Sequence, residues 1–146
     1  MPLDALDFSR RAELTELMDE PCSREEMRAC LLDLSRLNRW FLGYRPTLCW
    51  LKDLNLPRNG SPLHLVDVGC GYGDALRRIE RWSADHHIPV ELTGCDLNPD
   101  IVAIAAEATP NASRIDWIVS DVFSLRTRKP IDLIVSSLFA HHLTEE

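Results

Sequence analysis

The sequence predicts an α/β fold: a parallel sheet preceded by a helical segment. Two observations carry the prediction. Beyond about residue 58, short apolar runs alternate with helix-like runs, and strand–helix alternation implies a parallel sheet with right-handed crossovers. At the first such junction the chain turns through Gly69, Gly71 and Gly73 straight into a helix-like run, the geometry of a nucleotide-binding loop. A third observation sets the front of the chain apart, because residues 1–57 show only helical periodicity.

The elements follow in order. Over 7–19, Phe8, Leu14, Leu17 and Met18 form a loose helical stripe that Pro21 ends. Ser23 and Glu26 make an S-x-x-E capping box. The helix it opens carries Met27, Cys30, Leu31, Leu34, Leu37 and Phe41 on one face and stops at Gly43. Pro46 suits the first turn of a third helix bearing Leu48, Leu51 and Leu54. Trp40 and Trp50 read as core residues. Residues 57–62 are turn-rich and mark a boundary, so the spacing predicts a helical N-terminal lid over 1–57 and a ligand-binding domain over 58–146.

Strands are predicted over 63–68, 90–95, 115–119 and 131–136, with helices over 74–84 and 99–108 between them. Asn98-Pro99 supplies a cap and a first-turn proline for the second of these helices. The fourth strand is apolar enough to be buried on both faces.

Composition narrows the function. At 146 residues the chain is one domain's worth, and no stretch reaches membrane-spanning length. Met1-Pro2-Leu3-Asp4 does not begin a signal peptide. A net charge of -7 argues against a nucleic-acid backbone as partner. Cys22, Cys30, Cys49, Cys70 and Cys95 contain no C-x-x-C pair, which predicts free thiols in a reducing cytoplasm and no metal site.

The loop narrows the ligand. Its glycines are spaced G-x-G-x-G. A dinucleotide loop would need a third small residue at position 74, where Asp74 stands, and a triphosphate loop would need a Gly-Lys-Ser/Thr ending that is absent. An adenosine carrier without phosphates remains, which points to S-adenosylmethionine. Glycine allows positive φ and close backbone approach, and the helix opening near Gly73 aims its free N–H groups at the loop. Asp67 stands at the carboxyl edge of the sheet, placed to meet a sulfonium or ammonium group. Asp96, ending the second strand, is placed to accept from both ribose hydroxyls or to serve simply at a helix entry. Asp121, after the third strand, is placed either to accept from an adenine amino group, with the N–H of Val122 meeting a ring nitrogen, or to lie solvated in a turn.

These three segments, with the fourth from Ile131 through Ser136, Ser137 and His141 to Leu143, resemble the successive motifs of class I S-adenosylmethionine-dependent methyltransferases of small-molecule type. The resemblance runs from Leu63 to the last residue. It implies a Rossmann-like sheet of order 3-2-1-4, with S-adenosyl-L-methionine as cofactor. It implies cofactor contacts from Cys70 and Leu97 beside those already named, and from Ser136 and Ser137 through their backbone. It also implies methyl transfer to an oxygen, nitrogen or carbon of a small-molecule acceptor, under a helical lid. His141 and His142 either face that acceptor, one as general base, or merely begin a helix. Tyr44 and Arg45 are candidates for the cofactor carboxylate or the acceptor, with a surface salt bridge as the plainer role of Arg45.

A complete member of the family continues beyond strand four. Here strand four becomes an edge with unpaired backbone, open to pairing with a second copy. A cofactor-binding but catalytically incomplete fragment, acting as a binding module, is therefore the alternative. A nicotinamide oxidoreductase is disfavoured by Asp74.

Overall fold

The computed structural model describes residues 22–54, 56 and 60–137, and the predicted helix over 7–19 lies outside them. Helices α1 (Arg24–Trp40) and α2 (Arg45–Asp53) precede strand β1 (Leu63–Val68). Helix α3 (Asp74–Asp85), strand β2 (Val90–Asp96), helix α4 (Pro99–Glu107), strand β3 (Ile115–Val119), a 3-10 turn (Val122–Ser124) and strand β4 (Leu133–Val135) follow. The sheet is parallel and ordered β3-β2-β1-β4.

Local chemistry sets the helix starts. Ser23 accepts the Glu26 N–H while Glu26 reaches back to the Ser23 N–H, a complete capping box. Asn98 accepts the Asp100 N–H, and Pro99 occupies the first turn of α4. Period-two alternation then divides the strands between two faces. On one face Leu65, Leu92 and Ile115 pack with Leu51 of α2 and Leu76 and Ile79 of α3. On the other, Val66, Val68 and Cys95 are covered by Val122 and Leu125. Each fully buried aliphatic side chain contributes about 1.5–3 kcal/mol, so this two-sided burial fixes β1 as the centre of the fold.

Three expectations change. The stripe on α1 is not buried along its length: Met27 and Leu31 pack on Ile101 and Ile104 of α4, but Leu37 and Phe41 are 52% and 81% exposed. At about 1.5 Å per residue, α1 simply outruns the shorter α4. Trp40 and Trp50 are not core residues either, at 82% and 42% exposed. Strand β4 is shorter than predicted and is not buried on both faces, since Ile134 is 60% exposed. Its entry is occupied by a side chain: the Asp132 carboxylate accepts the His64 N–H at 2.8 Å, and the Asp132 N–H donates to the His64 carbonyl at 2.9 Å.

His64 is itself buried. Its Nδ1 faces the Pro130 carbonyl at 3.1 Å, which can only accept, so Nδ1 donates there, and its Nε2 lies within hydrogen-bond distance of the Thr93 hydroxyl at 2.9 Å. This bridge ties β1 to β2 and to the approach of β4.

Candidate functional site

The β1–α3 loop is a succession of left-handed glycines, with φ of 69° at Gly69, 50° at Gly71 and 73° at Gly73. Its amides are stitched to the end of β2. Gly69 and Cys70 both donate to the Cys95 carbonyl, at 2.9 and 3.0 Å, and Gly71 donates to the Asp96 carboxylate at 3.3 Å. The Gly73 N–H turns back to the Cys70 carbonyl at 2.8 Å. The loop is therefore a rigid shelf at the carboxyl edge of the sheet, with Asp96 at its side.

The glycines do different things. A Cβ on Gly71 would meet only Leu31 Cδ2, at an ordinary contact distance of 3.8 Å, so no clash forbids it and the positive φ is what favours glycine there. A Cβ on Gly73 would collide with the Trp117 indole, and one on Gly94 would collide with the same ring. Trp117 pairs with Gly94 across β2 and β3 and lies over the bare backbone to reach the start of α3. Sequence reasoning singled out neither residue for this. The available signal was a glycine inside a strand, which marks a close approach.

The three predicted carboxylates stand at the ends of β1, β2 and β3. Asp67 is buried, and burial pushes its carboxyl up to about 7, with Asp96 adding to the rise. Burial also raises the Cys70 thiol, as do the charges of Asp96 and Asp67. Cys95 is raised by burial and then by Asp96, Asp121 and Asp67, while its thiol donates to the Ser120 carbonyl at 3.2 Å. Both thiols are held protonated, so neither is a nucleophile. The carboxylates of Asp67, Asp96 and Asp121 thus gather negative charge at this edge of the sheet.

Asp96 also accepts the Asn98 N–H at 3.1 Å, so its helix-entry role and its contact with the loop coexist. Leu97 is 69% exposed beside it. Asp121 caps the 3-10 turn by accepting the Phe123 N–H at 2.8 Å, and Val122 leans on the buried face of the sheet. Ser136 and Ser137 are exposed past the end of β4. Ser137 borders a small cleft shared with Tyr44 and Leu48 and with Ala75 of α3. Arg45 makes no ion pair among the described residues, contrary to the surface salt bridge expected of it. His141 and His142 lie outside the described residues. Among the described residues no group of three or more His, Cys, Asp or Glu side chains could hold a metal ion.

Helix α1 brings Leu31 beside Gly71 and is fastened to α4. Glu107 of α4 accepts from Arg24 at 2.5 Å and also from Arg28, and the two guanidiniums hold its carboxyl below the ordinary range.

A glycine shelf, carboxylates at the ends of three neighbouring parallel strands and a helix across the opening define a Rossmann-like α/β domain. The chain belongs to the methyltransferase domain family, whose profile matches residues 65–146. The trans-aconitate 2-methyltransferase of Streptomyces avermitilis is 38% identical over 86 residues, covering 56% of this chain and 29% of that protein. The methyltransferase domain of the citrinin polyketide synthase superposes with a TM-score of 0.58 at 21% identity, covering 67% of this chain and 27% of that one. The plantazolicin methyltransferase BpumL, solved with S-adenosylhomocysteine, superposes with a TM-score of 0.50 at 19% identity, over 75% and 39% of the two chains. The chain thus spans less than a third of the curated relative's length. S-adenosyl-L-methionine is the cofactor of this family.

The site fits that cofactor. The Gly71 backbone carries no side chain between itself and Leu31, and the carboxylates at the strand ends suit the cofactor's positive charges.

Proposed function

We propose that this chain binds S-adenosylmethionine at the glycine shelf and serves in methyl transfer to a small-molecule acceptor. The observation that carries the reading is the run of left-handed glycines at the end of β1, whose Gly71 N–H is held by the Asp96 carboxylate at the end of β2.

The residues divide the work. Gly69, Cys70, Gly71 and Gly73 shape the shelf. Asp96 accepts from the ribose hydroxyls, with Leu97 against the adenine. Asp121 and the Val122 N–H address the adenine edge, Asp67 faces the cationic end, and the backbone of Ser136 and Ser137 lines the methionine side. When bound, the cofactor supplies an electrophilic methyl group. The chain's contribution is to hold donor and acceptor in line and to exclude water, and positioning of this kind supplies much of the barrier reduction. Helix α1, with Leu31 over the loop, acts as part of the lid. His141 and His142 are assigned the acceptor side, one as general base. Five free cysteines suit a cytoplasmic setting, and no described helix is long and apolar enough to cross a membrane.

Calorimetric titration with S-adenosylhomocysteine and, separately, with NAD tests the reading. Binding of the first and not the second is expected. Failure of S-adenosylhomocysteine to bind, or equal binding of NAD, would overturn it.

A further inference from the structure

We propose that a basic cavity between α1, α2 and α3 binds a small organic polyanion, carrying two or more carboxylate or phosphate groups, and that such a molecule is the methyl acceptor. The acceptor role rests on the methyl-transfer reading above, whereas the binding site does not.

The cavity has a volume of about 300 Å³, at the lower end of ordinary small-molecule pockets. Helix periodicity builds it. Arg45, Leu48, Cys49 and Lys52 stand at i, i+3, i+4 and i+7 and so share one face of α2. Arg78 and Trp82, four apart on α3, form the facing wall, and Arg39 closes it from the last turn of α1. Four cationic side chains line this one space and no acidic side chain does.

That concentration runs against the composition, since the chain has 23 acidic and 16 basic residues. Among the described residues none of Arg39, Arg45, Lys52 and Arg78 pairs with a carboxylate, as is also true of Arg77, Arg81, Arg114, Arg126 and Arg128, but only these four are gathered around one space. Arg78 instead lies over the Tyr44 ring, 4.6 Å from its centroid. Stacking of this kind orients a guanidinium without using its N–H donors on a carboxylate. Like charges gathered around a low-dielectric wall focus a positive potential that draws in anions. Four of them are more than a monoanion needs, while Leu48, Tyr44 and Trp82 offer an apolar surface for its carbon body.

Position ties the cavity to the cofactor shelf. Tyr44 and Leu48 also line the cleft that reaches Ala75, in the first turn of α3, and Ser137 beyond β4. A cationic donor among carboxylates and an anionic acceptor among arginines would then meet at adjoining sites of opposite charge.

The test is calorimetric titration of the full chain at low salt with tricarballylate, 2-phosphoglycerate and the monoanion benzoate. It is run on the wild type and on the double variant Arg39→Gln/Lys52→Gln, whose positions are exposed and leave the folded core untouched. S-adenosylhomocysteine is titrated in parallel. The expected result is that at least one polyanion binds at least about tenfold more tightly than benzoate. The double variant should lose about tenfold of that affinity while keeping its affinity for S-adenosylhomocysteine. The preference between tricarballylate and 2-phosphoglycerate identifies the anionic group. Modification of Cys49 by a maleimide, followed by mass spectrometry, should slow in the presence of the favoured polyanion. Polyanion affinity equal to that of benzoate, or unchanged in the double variant, overturns the proposal. If the polyanion binds as expected but S-adenosylhomocysteine does not, the binding site stands and its acceptor role falls.

Discussion

The indole of Trp117 occupies the space in which Gly73 would carry a side chain. One ring from β3 thus sets the position at which α3 begins and, through Gly73, the end of the cofactor shelf. Gly73→Ala adds a Cβ at a left-handed backbone, worth about 1–2 kcal/mol of strain by itself, and drives it into the ring. Combined destabilisation of about 2–4 kcal/mol is expected, read as a drop in the denaturant midpoint. Gly94→Ala should be destabilising for the same reason without the backbone strain. A Gly73→Ala protein as stable as wild type would show that the ring moves freely.

Binding should depend on Gly71 and Asp96 in separable ways. Gly71→Val places a branched side chain against Leu31 and strains a positive φ, so affinity for S-adenosylhomocysteine should be lost. Asp96→Ala removes the acceptor for the Gly71 N–H and for the ribose hydroxyls, and a loss of about 1–3 kcal/mol is expected. Titration calorimetry on folded variants decides both.

The buried carboxyl of Asp67 makes stability depend on pH. Its folded value of about 7 lies above the ordinary 3.8, so the folded state holds the proton more tightly than the unfolded chain. Stability from this group is fully present below about pH 4 and is lost as pH rises through about 7. Asp67→Asn should therefore melt above the wild type at pH 8, with the gap narrowing at pH 5. A cationic ligand that pairs with the carboxylate must release that proton, so S-adenosylmethionine should bind more tightly as pH rises from 6 to 8. A flat profile, or one unchanged by Asp67→Asn, would refute the linkage.

The thiols should divide by burial. Cys22 and Cys49 are exposed and should be modified first by a maleimide, whereas Cys70 and Cys95, buried and held protonated by surrounding acids, should react only on unfolding. Peptide mass mapping of the modified protein checks the order.

The edge of the sheet should promote self-association. Strand β4 pairs only with β1 among the described residues and leaves Ile134 60% exposed. An edge with apolar side chains is a pairing surface. Sedimentation velocity should show concentration-dependent dimers that Ile134→Lys disperses. A wild-type monomer at high concentration would count against pairing through this strand.

Much of this was legible in the chain because it depends on neighbours in sequence. The capping box at Ser23, the proline after Asn98, the glycines of the loop and the period-two strands are local rules, and local rules act wherever the chain places them. The acidic ends of the strands were legible for the same reason, since a strand's last residue stands at the sheet's edge whatever packs around it. How far a helical stripe is buried is not local. The stripe on α1 continues to Phe41, but the length of α4, seventy residues away in the chain, decides that only Met27 and Leu31 are covered. Nor can sequence say which side chain will fill the space above a glycine, or that Arg39, Lys52 and Arg78 from three helices will line one cavity. The sequence by itself determined the α/β class, the shelf and the carboxylates beside it. The tertiary structure alone decided the Trp117 contact, the raised carboxyl of Asp67 and the basic cavity, because burial and the meeting of distant charges exist only once the elements have packed.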